Sequence, residues 1–147
     1  MERIFDALRE DHEKQRAMLK ELLKTEGDSK ERRQIYQELK AELKAHAVAE
    51  ERFFYKPMMD DDAAIKKARH SIAEHHEIDE FLEDLDETEM TSSGWIATAK
   101  KLSEKVHHHL DEEEQEVFKS AGIALSETVK KRLAGQFREE KELQLSC

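Results

Sequence analysis

One cysteine, Cys147 at the last position, and one proline, Pro57, are all that this 147-residue sequence contains of either residue. A single thiol excludes a disulfide framework. Four glycines with that one proline are too few turn formers for a meander of short strands, which excludes an all-β sandwich or barrel. No apolar run approaches the roughly 18 residues that a membrane span needs. The opening residues Met1-Glu2-Arg3-Ile4-Phe5-Asp6 lack the charged-then-apolar layout of a secretory signal. A soluble, cytoplasmic protein with no membrane partner is therefore expected. A basic excess is also missing: 25 Lys and Arg stand against 35 Asp and Glu, for a formal net charge of −10. The bases are scattered, so nothing attracts a phosphate backbone and nucleic acid is not an expected partner.

What is present points to helices. Charged residues make up 41% of the chain and apolar ones 37%, so the core must be narrow, and the abundant Leu, Ala, Glu and Lys favour helix. Apolar residues recur at helical spacing in four long segments. The first, about residues 2–24, places Phe5, Leu8, Leu19 and Leu22 on one stripe and closes near Gly27. The second, about 29–55, opens on a capping-box pattern at Asp28 and Glu31, turns Ile35, Leu39, Leu43 and Phe53 inward, and is interrupted by Pro57 and the Asp60-Asp61-Asp62 run. The third, about 62–87, follows Asp60-Asp61-Asp62 and carries Ile65, Ala68, Ile72, Leu82 and Leu85. The fourth, about 95–119, carries Ile96, Ala99, Leu102, Val106 and Val117. Short links make neighbours antiparallel, which predicts an all-α, up-down-up-down four-helix bundle over residues 1–120. Residues 121–147 contain a further amphipathic segment, about 127–143, with Val129, Leu133 and Phe137 on one face. It is expected to pack on the bundle or at a dimer interface, in a monomer or homodimer.

Displacing the sequence by 63 positions superposes the first helical hairpin on the second without a gap. His12 falls on His75, Leu19 and Leu22 on Leu82 and Leu85, Leu39 on Leu102, and His46 on His109. Glu50-Glu51 falls on Glu113-Glu114, Tyr55 on Phe118 and Lys56 on Lys119. A duplicated hairpin folded into a bundle has a pseudo-two-fold axis, and its histidines should act symmetrically about it.

The matched polar residues occupy core positions. His12 lies between Leu8 and Leu19, and His75 between Ile72 and Leu82. His46 with Glu50, and His109 with Glu113, are i,i+4 pairs that offer a nitrogen and a carboxylate from one helix face. A carboxylate buried without a partner costs several kcal/mol, so two would consume roughly the whole stability margin of a small domain. Two divalent cations, ligated by His12, His46, Glu50, His75, His109 and Glu113, resolve the difficulty. The carboxylates can bridge, and positions stay open for water, an oxo or hydroxo group, or a small ligand. A hydrogen-bonded core without metal is the alternative for the same six residues. Because imidazoles must be deprotonated to coordinate, metal should leave below about pH 6.

Four ordered motifs carry a family resemblance. They are Asp11-His12-Glu13; His46-Ala47-Val48-Ala49-Glu50-Glu51 followed by Tyr55 and Pro57; Glu74-His75-His76-Glu77-Ile78; and Val106-His107-His108-His109 leading to Glu113-Glu114 and Phe118. Over roughly residues 4–120 the sequence resembles the hemerythrin-like (HHE cation-binding) family. That resemblance implies a non-haem di-iron centre: two iron ions with an oxo or hydroxo bridge. It also implies binding of, or reaction with, O2, NO or peroxide in sensing, detoxification or iron handling. Manganese or zinc would also suit a mixed nitrogen and oxygen site. Two departures bear on the function. Ser71 stands where oxygen-carrying members have a second histidine on the third helix, and Glu113 follows its histidine by four residues instead of five. Both weigh against reversible oxygen carriage. The competing reading is a metal-dependent regulatory or interaction module without turnover, acting through residues 127–143, so the residues leave enzymatic turnover open.

Around the six, Asp79 lies four residues after His75 and is a candidate extra ligand or hydrogen-bond partner of an imidazole. Glu51 and Glu114 flank the site, either as hydrogen-bond acceptors or as solvated charges. His70, His76, His107 and His108 fall off the inward stripe and are expected on the surface, and Cys147 is expected to be inert.

Overall fold

The computed structural model describes residues 2–146, so Cys147 lies outside the described residues. Every regular element among them is helical. Helix α1 spans Ile4–Leu23. Helix α2 runs Lys30–Glu50, passes without a break through a π-helical turn at Glu51–Tyr55, and finishes as Lys56–Met58. Helix α3 spans Asp62–Glu87. Helix α4 runs Ser93–Glu112, passes through a second π-helical turn at Glu113–Val117, and continues as Phe118–Ala124. Helix α5 spans Glu127–Ser146.

The helix starts have local causes. Ser29 caps α2, its hydroxyl accepting from the Arg32 N–H; Asp28, the expected cap, stands one residue too early to reach the first turn. Asp61 caps α3 by accepting from the Ala63 and Ala64 N–H groups, and Ser92 caps α4 through the Trp95 N–H. Between α1 and α2 the chain reverses at Gly27, whose φ of 59° is a left-handed conformation that glycine adopts without a Cβ penalty. Helix α2 ends at Met58, between Pro57 and the Asp60-Asp61-Asp62 run, and Pro57 itself still lies in the last turn. It follows directly on the π turn, where the i→i+5 ladder already departs from the regular register, so its missing N–H removes little.

Helices α1 to α4 form the up-down-up-down bundle, and α5 lies along α1 and α2. The apolar interior falls into two clusters. One gathers Ile4, Phe5, Leu8, Ala49, Phe54 and Phe118 with Leu133 and Phe137 of α5. The other gathers Leu19, Leu22, Tyr36, Leu39, Leu82, Trp95 and Leu102. His12, His46, Glu50, His75, His109 and Glu113 are all buried and make a polar layer within the bundle. At the loop end, the Arg32 guanidinium donates to Thr25, to the Gly27 carbonyl and to the Met90 carbonyl, and lies 4.8 Å from the Trp95 ring centroid. It ties the α1–α2 loop to the α3–α4 loop. Nearby, Tyr36 takes the fully inward place expected of Ile35, which is half-buried. The Tyr36 ring packs edge-on against Trp95 at 5.6 Å, and its hydroxyl lies 2.7 Å from Asp86 Oδ1.

These packing differences set the mutational response. Leu102 is completely buried and Ile123 is 84% exposed. Leu102→Ala should therefore cost about 2–5 kcal/mol in a thermal or urea melt, while Ile123→Ala should stay within about 0.5 kcal/mol.

Candidate metal centre

Each helix of the bundle contributes to the polar layer. His12 comes from α1, His46 and Glu50 from α2, His75 from α3, and His109 and Glu113 from α4. They gather into two groups of donor atoms, each group lying within 4.8 Å: His12, His46, Glu50 and Glu113 in one, Glu50, His75 and His109 in the other. Glu50 belongs to both. His12 Nε2 lies 3.0 Å from Glu113 Oε1, His46 Nε2 3.4 Å and His75 Nε2 3.1 Å from Glu50 Oε1, and His109 Nε2 3.7 Å from Glu113 Oε2.

The opposite nitrogen of each ring meets a carboxylate. His12 Nδ1 lies 2.6 Å from Glu114 and His75 Nδ1 2.9 Å from Glu51; His46 Nδ1 lies 2.8 Å from Asp11 and His109 Nδ1 2.9 Å from Glu74. The 63-residue repeat relates these partners as well, Glu51 to Glu114 and Asp11 to Glu74. In the neutral ring each Nδ1–H donates outward, which leaves Nε2 with its lone pair facing the interior. Sequence reasoning had Glu51 and Glu114 as possible acceptors but missed this role for Asp11 and Glu74. The signal was available, because an acidic residue directly precedes the matched histidine in both halves.

The π turns were not anticipated, and they shape the site. An i→i+5 turn brings residues five apart onto one face, so the Tyr55 hydroxyl reaches Glu50 Oε1 at 2.9 Å and also hydrogen-bonds Glu113. The repeat-related Phe118 instead stacks on the His12 ring, 5.9 Å away and 18° from parallel. The symmetry is broken at this pair, with a phenol on one side and a phenyl ring on the other.

Five inward atoms, His12 Nε2, His46 Nε2, His109 Nε2, Glu50 Oε2 and Glu113 Oε1, are buried and make no well-formed hydrogen bond, although imidazole and carboxylate lie as close as 3.0 Å at His12 and Glu113. Each such atom costs about 1–3 kcal/mol, so a convergent set of five fits a cation better than a hydrogen-bonded core. Imidazole nitrogen combined with carboxylate oxygen suits iron, manganese or zinc, whereas calcium and magnesium prefer oxygen alone. Beside these atoms is a cavity of about 20 Å³ bordered by His46, His75, His109, Gln15, Leu43, Ala47, Ile78 and Asp79. Gln15 is buried, and its Nε2 also has no partner. Asp79 is exposed at the cavity's edge and stands outside both donor groups, because Ile78 takes the inward place beside His75. His70, His76 and His108 are exposed, and His107 is half-buried with Nδ1 2.8 Å from the Ser103 carbonyl.

Without metal, the site balances charge internally. Burial alone would depress the His46 imidazole, but Glu50 and Asp11 outweigh it and raise its pKa to about 10. Burial likewise opposes Glu50 and Glu51 at His75, and the carboxylates win, at about 9. His12 is raised against burial by Glu113 and Glu114. Burial and the neighbouring Glu50 charge push Glu113 up, whereas Glu50 is held low by His46 in spite of its own burial. Glu74 and Glu114 sit at about 2, where His109 and the His12–Arg16 pair overcome desolvation. Asp11 is also lowered against burial, chiefly by His46; its second oxygen accepts from Lys141 of α5 at 2.7 Å, and Lys141 also bonds Glu42.

The sequence profile of the Hemerythrin HHE cation binding domain matches residues 3–121. Among curated proteins no sequence match is found. Among solved structures, the crystal structure of a hemerythrin HHE cation binding domain-containing protein, the Rv2633c homolog from Mycobacterium kansasii, is similar with a TM-score of 0.88. The match covers 99% of this chain and 89% of that one at 20% sequence identity, a level that speaks for the fold.

The raised imidazole values fix a pH dependence. Groups whose pKa is raised on folding stabilise fully below their unfolded value and lose that contribution as pH rises through the folded value. For His46 and His75 the window runs from 6.5 to about 10 and about 9 respectively. Melts of the metal-free protein should therefore show stability falling across this range. Metal must displace the same protons, so its affinity should rise with pH there, with proton release measurable by calorimetry in buffers of different ionisation enthalpy. At the acid end, Glu74 and Glu114 contribute above 4.5 and lose that contribution as pH falls towards about 2.

Proposed function

The chain belongs to the hemerythrin HHE cation-binding family, and from that premise we propose that it holds two iron ions and binds or reacts with a small oxidant such as O2, NO or peroxide. In this reading His12 and His46 hold one ion, His75 and His109 the other, and Glu50 and Glu113 are shared between them. The observation that carries it is the set of five buried donor atoms without a well-formed hydrogen bond, beside a cavity of about 20 Å³. So small a space beside the donor atoms suits a ligand of a few atoms. When bound, iron supplies the electrons and the open coordination position that such ligands require.

The protein's own residues do the rest. Asp11, Glu51, Glu74 and Glu114 fix the imidazole tautomers from outside. The Tyr55 phenol is kept protonated by burial and by the charges of Glu113 and Glu50, and it steadies both carboxylates. Gln15 Nε2 has a hydrogen bond to give and borders the cavity, so it serves as donor to the bound ligand. Leu43 and Ile78 line the same space and keep bulk water out.

A second reading has its own support. Lys141 links α5 through Asp11 to His46, which is the connection a metal-dependent regulatory module would need for metal occupancy to control how α5 docks. Steady consumption of NO or peroxide by the iron-loaded protein favours the first reading. Iron-dependent protection of residues 127–146 from hydrogen exchange, without turnover, favours the second.

Elemental analysis and absorption spectra test the centre directly. His46→Ala and Glu113→Ala should lose iron, together with the near-ultraviolet absorption that dithionite abolishes in the parent. Full iron content in both would refute the ligand assignment. Asp11→Ala should weaken iron binding about 10–100-fold. Gln15→Leu should keep the iron while NO leaves about five to ten times faster, the worth of one hydrogen bond; an unchanged rate would remove Gln15 from the ligand site.

A further inference from the structure

The 63-residue repeat relates two faces of the bundle that are built differently. On one, Ala7, Ala45 and Ala49 are buried, and Ala7 and Ala49 share a cluster with Leu133, Ala134 and Phe137 of α5. Their repeat mates on α3 and α4 are His70, His108 and Glu112. The His70 and His108 side chains are 55% and 67% exposed. Where alanines admit a helix, the related face carries imidazoles and carboxylates open to solvent.

These side chains converge. His70 Nε2 lies 3.0 Å from Glu112 Oε1 and 3.7 Å from Glu74 Oε1, and one donor atom from each of the three falls within 4.8 Å of the others. His108 Nε2 approaches the second Glu112 oxygen at 3.1 Å. Glu74 is almost entirely buried; its Oε2 lies 3.4 Å from Lys105, which also pairs with Glu77, and its Oε1, which meets His109 Nδ1 at 2.9 Å, also faces His70. A groove of about 370 Å³ adjoins the cluster, lined by His108, Asp111, Glu112, Gln115 and Glu116. Its three carboxylates attract cations. Isolated surface ion pairs are worth only about 0–1 kcal/mol, which is little reason to bracket one carboxylate with two imidazoles.

We propose that His70, Glu74 and Glu112 bind one divalent transition-metal cation of the zinc or ferrous class at the surface, with His108 beside the other Glu112 oxygen as a neighbouring imidazole. Imidazole nitrogen with carboxylate oxygens forms a borderline donor set, which disfavours magnesium and calcium. None of the six buried residues is a ligand here, but Glu74 also holds the His109 ring of the buried centre, so the site is tested through His70 and Glu112, which touch none of the six.

Cobalt(II) is a suitable probe, titrated into the iron-loaded protein and into a Glu50→Gln/Glu113→Gln double variant, with uptake read by equilibrium dialysis and visible absorption. One Co(II) per chain outside the buried centre is expected in both. It should bind at least about tenfold more weakly in His70→Ala and in Glu112→Gln, with helicity by circular dichroism unchanged, and excess Mg(II) should not displace it. The proposal is overturned if the iron-loaded protein takes up no further Co(II), if uptake is undiminished in both single variants, or if Mg(II) displaces the ion.

Discussion

Six ionisable side chains share the interior of a narrow bundle with two apolar clusters, and the rest of the structure answers to that burial. An imidazole or carboxylate in such a place needs partners on every polar atom. The outer half of the demand is met within the chain by four carboxylates on the four Nδ1 atoms. The inner half is met only by close imidazole–carboxylate approaches, with five atoms that make no well-formed hydrogen bond. A bundle optimised only for stability would fill this layer with leucine. Retaining it makes sense if the layer exists to receive cations, and the outer carboxylates then serve twice, orienting the rings and balancing the charge.

The duplication explains how so many constraints are satisfied at once. A hairpin that places one histidine, one H-x-x-x-E pair and their acidic supports supplies the whole centre when repeated about a pseudo-two-fold axis. The departures from symmetry are where the halves acquire separate duties. Tyr55 against Phe118 gives one side a hydroxyl on both Glu50 and Glu113. Glu42 against Lys105 reverses a charge: the second half has its own lysine 3.4 Å from Glu74, whereas the first half receives Lys141 from α5 between Asp11 and Glu42. The alanine face that seats α5 and the histidine face that remains open are a third such difference.

Helix lengths, order and the antiparallel bundle were legible because apolar residues at helical spacing report burial directly, and the ungapped repeat confirmed the pairing of hairpins. The six inward residues were legible for the same reason, since polar residues in phase with leucines have nowhere else to point. A four-residue step from His75 keeps approximate phase only, so Ile78 is buried beside it while Asp79 stands at the cavity's edge. Pro57 and the aspartate run after it marked the end of α2 to within a few residues, but the π turn before them is invisible to periodicity.

The sequence by itself determined the helices, their duplication and which polar side chains must be buried, because these follow from local spacing and from the cost of taking charge out of water. Only the tertiary structure decided which nitrogen of each histidine faces inward, which carboxylate holds the other, that Gln15 borders a cavity and that Lys141 reaches Asp11. These depend on distances between residues as many as 130 positions apart, and such distances are set by how helices lie against one another, which periodicity within a single helix does not encode.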